Sequence, residues 1–170
     1  MTFSNETAET ALVIGSKEAT GTAPHRADLA DSVRQTVLVV DDDPLFRTLC
    51  HATLAERYDV VVASDGHEAV QLATQDPPAM IVLDLQMPGW DGEKVLRAVR
   101  ADAAFEQTAV LILTSDPSDD VLNAMAAAGA DSIMNKMQFS RESLLTEVGH
   151  LRPSKKRGPR RTVRRVVPVM

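Results

Sequence analysis

The chain has 170 residues, room for one domain with extensions but hardly for two full cores. With 44% of residues hydrophobic, 25% charged and 4% aromatic, the bulk of the chain is neither disordered nor a disulfide scaffold, and its core must come from Val, Leu, Ile, Ala and Met. The net charge of −6 conceals a split: residues 1–150 carry 24 acids against 10 bases, or −14, whereas the last twenty carry eight bases and no acid.

Residues 1–35 are rich in Ser, Thr, Ala, Glu and Gly without a sustained period of 2 or 3.6, so they read as a disordered lead-in. Within them Ala11 to Gly15 is too short for a signal-peptide core and has no basic residue before it. No apolar run approaches the roughly 20 residues of a membrane span. Cys50, the single cysteine, permits neither an intramolecular disulfide nor a cysteine metal cage, and a reducing, cytoplasmic setting is expected.

From residue 36 the pattern changes. Short apolar runs end in polar residues at Val37 to Val40, Val60 to Ala63, Ala79 to Leu83, Ala109 to Leu113 and, more weakly, Ile133 to Met134. Their starts lie 19 to 30 residues apart, enough for a strand and a crossover helix each time. Asp43-Pro44 supplies an N-cap followed by proline at the first helical position, and Asp116-Pro117 repeats the device. Cys50, at helical spacing from Phe46, reads as a small core residue, and Gly66 and Gly129 read as turn or C-cap positions. The prediction is an α/β domain over residues 36–151, with five parallel strands and helices on both faces. A basic tail, 152–170, follows. Its bases recur with Val163, Val166 and Val167 as in an amphipathic helix, but Pro159 and Pro168 bracket only eight residues, too few to hold a helix alone.

In such sheets the site lies at the carboxyl ends of the strands. Here the first strand ends in Asp41, Asp42 and Asp43, the third in Asp84, the fourth in Thr114 and Ser115, and the fifth in Lys136. Acids after a strand are commonly loop or capping residues, and lysines there are commonly solvated. What singles these out is that all fall on one edge. Clustered carboxylates repel unless a cation shares the site, and a hard ion that takes one or two carboxylates and keeps some waters, Mg2+, suits them. Asp84 could then act as a carboxylate nucleophile toward phosphorus, with Mg2+, Lys136 and the Thr114 hydroxyl meeting the charge on the phosphoryl oxygens. Trp90, six residues after Asp84, is expected at the rim of this pocket.

Val37 to Pro44 (VLVVDDDP), Ile81 to Gly92 (IVLDLQMPGWDG), Leu111 to Ser115 (LILTS), Ala128 to Asp131 (AGAD) and Lys136 together resemble the receiver domain of two-component response regulators. The resemblance implies a flavodoxin-like strand order of 2-1-3-4-5. It also implies that Asp84 accepts a phosphoryl group from a sensor histidine kinase or a histidine phosphotransfer protein. Asp41 and Asp42 would be the acidic pair, and Asp42, Asp84 and the main-chain carbonyl of Gln86 the metal contacts. Thr114 and Lys136 would be the switch hydroxyl and the phosphoryl-binding lysine. Two positions depart from the family pattern. Met137 stands where proline usually follows the lysine, so the loop should be built differently, and Ile133 replaces the usual aromatic switch residue.

The twenty residues after 150 are too few for a winged-helix or cyclase domain, so signalling is expected through contact with a downstream protein target or through the tail. The tail suits an acidic protein, anionic lipid or nucleic acid. Two other readings start from single features. Asp41-x-Asp43 resembles the nucleophile motif of haloacid-dehalogenase-type Mg2+-dependent phosphohydrolases, although Leu45 stands where that motif has Thr or Val. The basic tail alone would suit a nucleic-acid-binding protein.

Overall fold

Strands that are apolar at successive positions must be covered on both faces, and helices with one apolar stripe supply the cover. The computed structural model describes residues 34–151 and the backbone of 164–165, and it has this architecture. In chain order the elements are β1 (Thr36–Val40), α1 (Pro44–Leu54), β2 (Asp59–Ala63), α2 (Gly66–Gln75), β3 (Met80–Asp84), α3 (Gly92–Ala101), β4 (Ala109–Thr114), α4 (Asp119–Ala128), β5 (Ser132–Asn135), α5 (Arg141–His150) and β6 (Arg164–Arg165). All strands are parallel, in the order β2-β1-β3-β4-β5-β6. The five expected strands thus take the expected order of 2-1-3-4-5. The sixth was not expected.

Alternation along the strands divides the core into two layers. Leu38, Val40, Ile81, Leu83, Val110 and Ile112 face α2, α3 and α4, where Ala69, Val95, Leu96, Val99 and Met125 meet them. Val37, Val39, Met80, Val82, Leu111 and Leu113 face α1 and α5, where they meet Cys50, Leu54, Leu144 and Val148. β3 and β4 are buried throughout, so the residues at their carboxyl ends emerge from the centre of the molecule.

The helix starts bear out one proline signal and correct the other. Pro44 is the first residue of α1 and the Asp43 side chain accepts from Leu45 N. α4 begins instead at Asp119, with Ser118 as N-cap, because Asp116 spends its carboxylate on the N–H of Ser118 in a preceding turn. Gly129 ends α4 at φ 100°, a left-handed residue as anticipated. Gly66 is no C-cap: it opens α2, where a Cβ would lie 2.6 Å from Val95 and 2.8 Å from the Trp90 Cβ.

The described residues include Arg34, which donates to the carbonyls of Ala55 and Glu56, and Gln35, whose carbonyl accepts from Asp59 N. The rest of the lead-in, residues 1–33, lies outside the described residues, as does the tail apart from 164–165.

Arg100 ties the far end of the sheet together. Its guanidinium donates to Gly129 O at 2.8 Å, Thr108 O at 3.0 Å and Asp131 Oδ2 at 2.8 Å, and the same Asp131 oxygen accepts from Val110 N. Arg100→Met keeps the aliphatic stem and strips donors from two carbonyls and a half-buried carboxylate. A loss of about 2–4 kcal/mol is expected, read as a lower urea midpoint at unchanged slope.

Candidate functional site

β1 and β3 are neighbours, so Asp41, one residue past β1, and Asp84, the last residue of β3, emerge side by side. Both are buried, Asp41 at 1% and Asp84 at 2% exposure. Lys136 follows β5, two strands away from β3, and its long side chain crosses the end of β4 to reach them. Its Nζ lies 2.7 Å from Asp41 Oδ2 and 2.8 Å from Asp84 Oδ2. The same ammonium stands 4.7 Å from the centroid of the Phe46 ring, which packs edge-on against Phe139 at 4.9 Å. Phe46 therefore walls the site. Helical spacing from Cys50 was its only sequence signal, and that also describes an ordinary core residue.

The remaining oxygens are held by main chain. Asp41 Oδ1 accepts from Asp43 N at 2.9 Å, and Asp84 Oδ1 from Gln86 N at 3.1 Å. Arg47 of α1 donates to the Asp41 carbonyl. Gly92 opens α3 directly against the acid: a Cβ there would sit 2.3 Å from Asp84 O. Only glycine allows that approach.

Sequence reasoning missed how the Lys136 loop is made. Residues Lys136–Gln138 form a single 3₁₀ turn whose N-cap is Asn135, and the Asn135 side chain accepts from Met137 N at 2.9 Å. Proline at 137 would lack that donor, so this turn is a construction that methionine permits. No described peptide bond is cis, and Met137 is 82% exposed. Ile133 is buried in the layer beneath α4.

Thr114 ends β4, opposite Asn135 in register, and is fully buried. Its hydroxyl donates to Asp116 O at 3.1 Å and accepts from Asp116 N at 3.0 Å, a local turn rather than a contact with Asp84. Trp90 packs over the start of α2, with its ring 6.0 Å from that of His67, and remains 40% exposed.

Asp41, Asp42 and Asp84 each present a carboxylate oxygen within 4.8 Å of the others, Asp42 from an exposed position. Three acids facing one ammonium leave an excess of two negative charges. Asp41 Oδ2 has the ammonium beside it but no well-aligned hydrogen bond. A small divalent cation with oxygen ligands fits this donor set. Asp42 and Asp84, with Asp41 behind them and the Gln86 carbonyl nearby in sequence, are the residues that would hold it.

Burial raises the Asp84 carboxyl above its ordinary value, and Asp41 adds to the rise. Hydrogen bonds from Lys136 and Gln86 N oppose it without cancelling it. For Lys136, burial alone would lower the ammonium, but its bonds to the two carboxylates prevail and raise it. The Cys50 thiol in the layer below is pushed up to about 12, by burial first and by Asp41 second.

These shifts have opposite signs in stability. Asp84 binds its proton more readily folded than unfolded, so its ionisation costs stability as pH rises from about 4 through the raised folded value. The Lys136 pairing is fully present at neutral pH and is lost only as pH climbs past the ordinary lysine range. At pH 7 without divalent ions, Asp84→Asn is therefore expected to unfold at higher urea than the wild type. Lys136→Met, which leaves two buried carboxylates facing each other, is expected to unfold about 3 kcal/mol more easily. Equal midpoints for all three proteins would refute this account of the electrostatics.

The comparisons with known proteins agree with this geometry. The family model of the response regulator receiver domain matches residues 37–149. The transcriptional regulatory protein TrcR of Mycobacterium tuberculosis is 38% identical over 132 residues, which are 76% of this chain and 49% of that protein. The hybrid signal transduction histidine kinase D of Dictyostelium discoideum is 32% identical over 120 residues, 71% of this chain and 8% of that protein. The chain thus spans half or less of these relatives. Among solved structures, the chemotaxis protein CheY4 of Vibrio cholerae superposes with a TM-score of 0.67 at 31% identity, covering 70% of this chain and 99% of that one. On the matched motifs, the strand order and the acidic site together, this chain belongs to the response regulator receiver family, the phosphoacceptor domains of two-component signalling.

Proposed function

We infer that Asp84 accepts a phosphoryl group from a histidine kinase or a histidine phosphotransfer protein in a Mg2+-dependent reaction, and that the chain signals from the cytoplasm by contact with a downstream protein. The observation that carries this reading is the buried Asp84 carboxylate, held 2.8 Å from the Lys136 ammonium at the mouth of an acidic cluster.

An Asp84 carboxylate oxygen attacks phosphorus, the P–N bond of the donor phosphohistidine breaks with its electron pair returning to the imidazole, and an acyl phosphate forms. Asp84 Oδ1 stays tied to Gln86 N, which fixes the carboxylate plane and leaves Oδ2 to react. Lys136, released from the attacking oxygen, takes up a phosphoryl oxygen while keeping Asp41. Bound Mg2+ would neutralise the carboxylates and the incoming phosphoryl charge. Thr114 fits a role after transfer: turning its hydroxyl from Asp116 toward the new phosphate would break the local turn that precedes α4. On this reading the only chemistry is phosphotransfer to, and hydrolysis from, the chain's own aspartate.

The phosphohydrolase alternative needs Asp43 as its second acid. Asp43 instead caps α1 from an exposed position, accepting from Leu45 N at 2.8 Å. No described helix is long and apolar enough to cross a membrane.

Incubation with acetyl phosphate and Mg2+, followed by intact mass, is expected to show one phosphoryl adduct. Asp84→Asn should abolish it, and Asp42→Ala or chelation of Mg2+ should reduce it about a hundredfold or more in rate. An adduct that survives in Asp84→Asn, or wild-type kinetics in Asp42→Ala, would overturn the assignment.

A further inference from the structure

In a five-stranded sheet of order 2-1-3-4-5, β2 and β5 would both be edges, and edges expose unpaired N–H and C=O groups. The two differ here. β2 is largely exposed, with Val61 at 37% and Val62 at 39%, whereas Ser132, Ile133 and Met134 of β5 stand at 0%, 3% and 1%. The difference coincides with β6. Arg164 pairs with Ser132 and Arg165 with Ile133, in parallel.

Alternation shows which β5 groups this strand serves. Asp131 N donates to Val110 O of β4. That bond precedes the regular ladder: Ala109 N donates to Ala79 O and Leu113 O accepts from Leu85 N, so these residues of β4 face β3 while Val110, Ile112 and Thr114 face β5. In the register Ile112 to Ile133 the amides of Ser132 and Met134 therefore face β4, whereas Ile133 N faces outward, toward β6. Charge favours the same occupant. α5 places the Glu147 carboxylate, 4% exposed, against the Ser132 hydroxyl at 3.2 Å, and α4, which packs on β5, opens with Asp119 and Asp120. The occupying strand belongs to the +8 segment of a chain that is otherwise −14.

Topology keeps the pairing weak. The steps β3 to β4 to β5 run in one direction with α3 and α4 on one face. The step to β6 continues in that direction but passes through α5 on the opposite face, so it cannot share their right-handed sense. A two-residue strand joined by a disfavoured crossover is a displaceable occupant.

We propose that the outer edge of β5 is a strand-addition site whose resident occupant is this chain's own basic segment around Arg164–Arg165, an exchangeable cap that withholds both the β5 edge and the tail arginines from other partners. The cap touches the strand that delivers Lys136, three residues beyond Ile133, so tail release and occupation of the acidic site are linked, each affecting the other by the same factor.

Amide exchange by NMR on the full-length protein tests this without phosphorylation, so its outcome is separate from that of the phosphoacceptor reading. The probe is Ile133 N–H, with Ser132 and Met134 N–H as the controls within the same strand. In the full-length variant Arg164→Pro/Arg165→Pro, which removes both main-chain donors, Ile133 is expected to exchange about threefold or more faster while Ser132 and Met134 are unchanged. Arg164→Glu/Arg165→Glu keeps the donors but reverses the charge of the segment, and Ile133 N–H should again speed up. Unchanged exchange in both variants overturns the proposal. Protection that falls on dilution, together with a dimer by light scattering, overturns it in favour of a second copy as the occupant.

Discussion

The site depends on one ammonium. Asp41 and Asp84 are almost wholly removed from water, and two such carboxylates side by side are tolerated because the Lys136 ammonium forms an ion pair with each. That requirement reaches through the fold. β1 and β3 must be adjacent to set the two acids together, and β5 must end level with β4 so that the lysine stem spans the gap. The Asn135 cap turns the chain at the right residue, and the Phe46 ring backs the charge. A shift of β5 by one residue would withdraw the ammonium and leave an uncompensated pair. The two-layer core that fixes the register of these strands is in this sense part of the site's electrostatics.

An excess of negative charge also makes the site receptive. One cation among three acids is enough to allow folding but not enough to neutralise them, so a divalent ion finds favourable potential there, and a phosphoryl group, itself negative, would be repelled without it. The main-chain N–H groups of Asp43 and Gln86 orient the acids without changing their charge. Arg47, the nearby guanidinium, is occupied by the carbonyl of Asp41, and so it braces the backbone instead of quenching the carboxylates.

Legibility in the sequence followed how local each signal was. Strand positions and order could be read because the apolar runs are buried on both faces, and Asp41, Asp42, Asp84 and Lys136 could be read because they follow those runs directly. The second proline signal failed because Asp116 has two competing uses, and the turn to Ser118 prevailed over the helix cap. Gly66 was misread because its reason is a neighbour distant in sequence, Trp90, rather than its own dihedral angle. Phe46 and the Asn135 cap went unseen because their roles exist only once β5 is in place. β6 was invisible for a related cause: a two-residue basic strand has no apolar pattern, and its pairing is set by the edge it meets.

Cys50 gives the molecule an internal clock. The thiol is fully buried beneath Asp41 and its ionisation is pushed up to about 12, so at neutral pH it is shielded from reagents and almost devoid of the thiolate that reacts with them. Alkylation must wait for α1 to lift from the sheet. With no second cysteine in the chain to confuse the signal, the rate of modification counts openings of the layer directly under the acids. An ion or phosphoryl group that tightens the site above will slow that clock, and so can be followed from below without touching the carboxylates themselves.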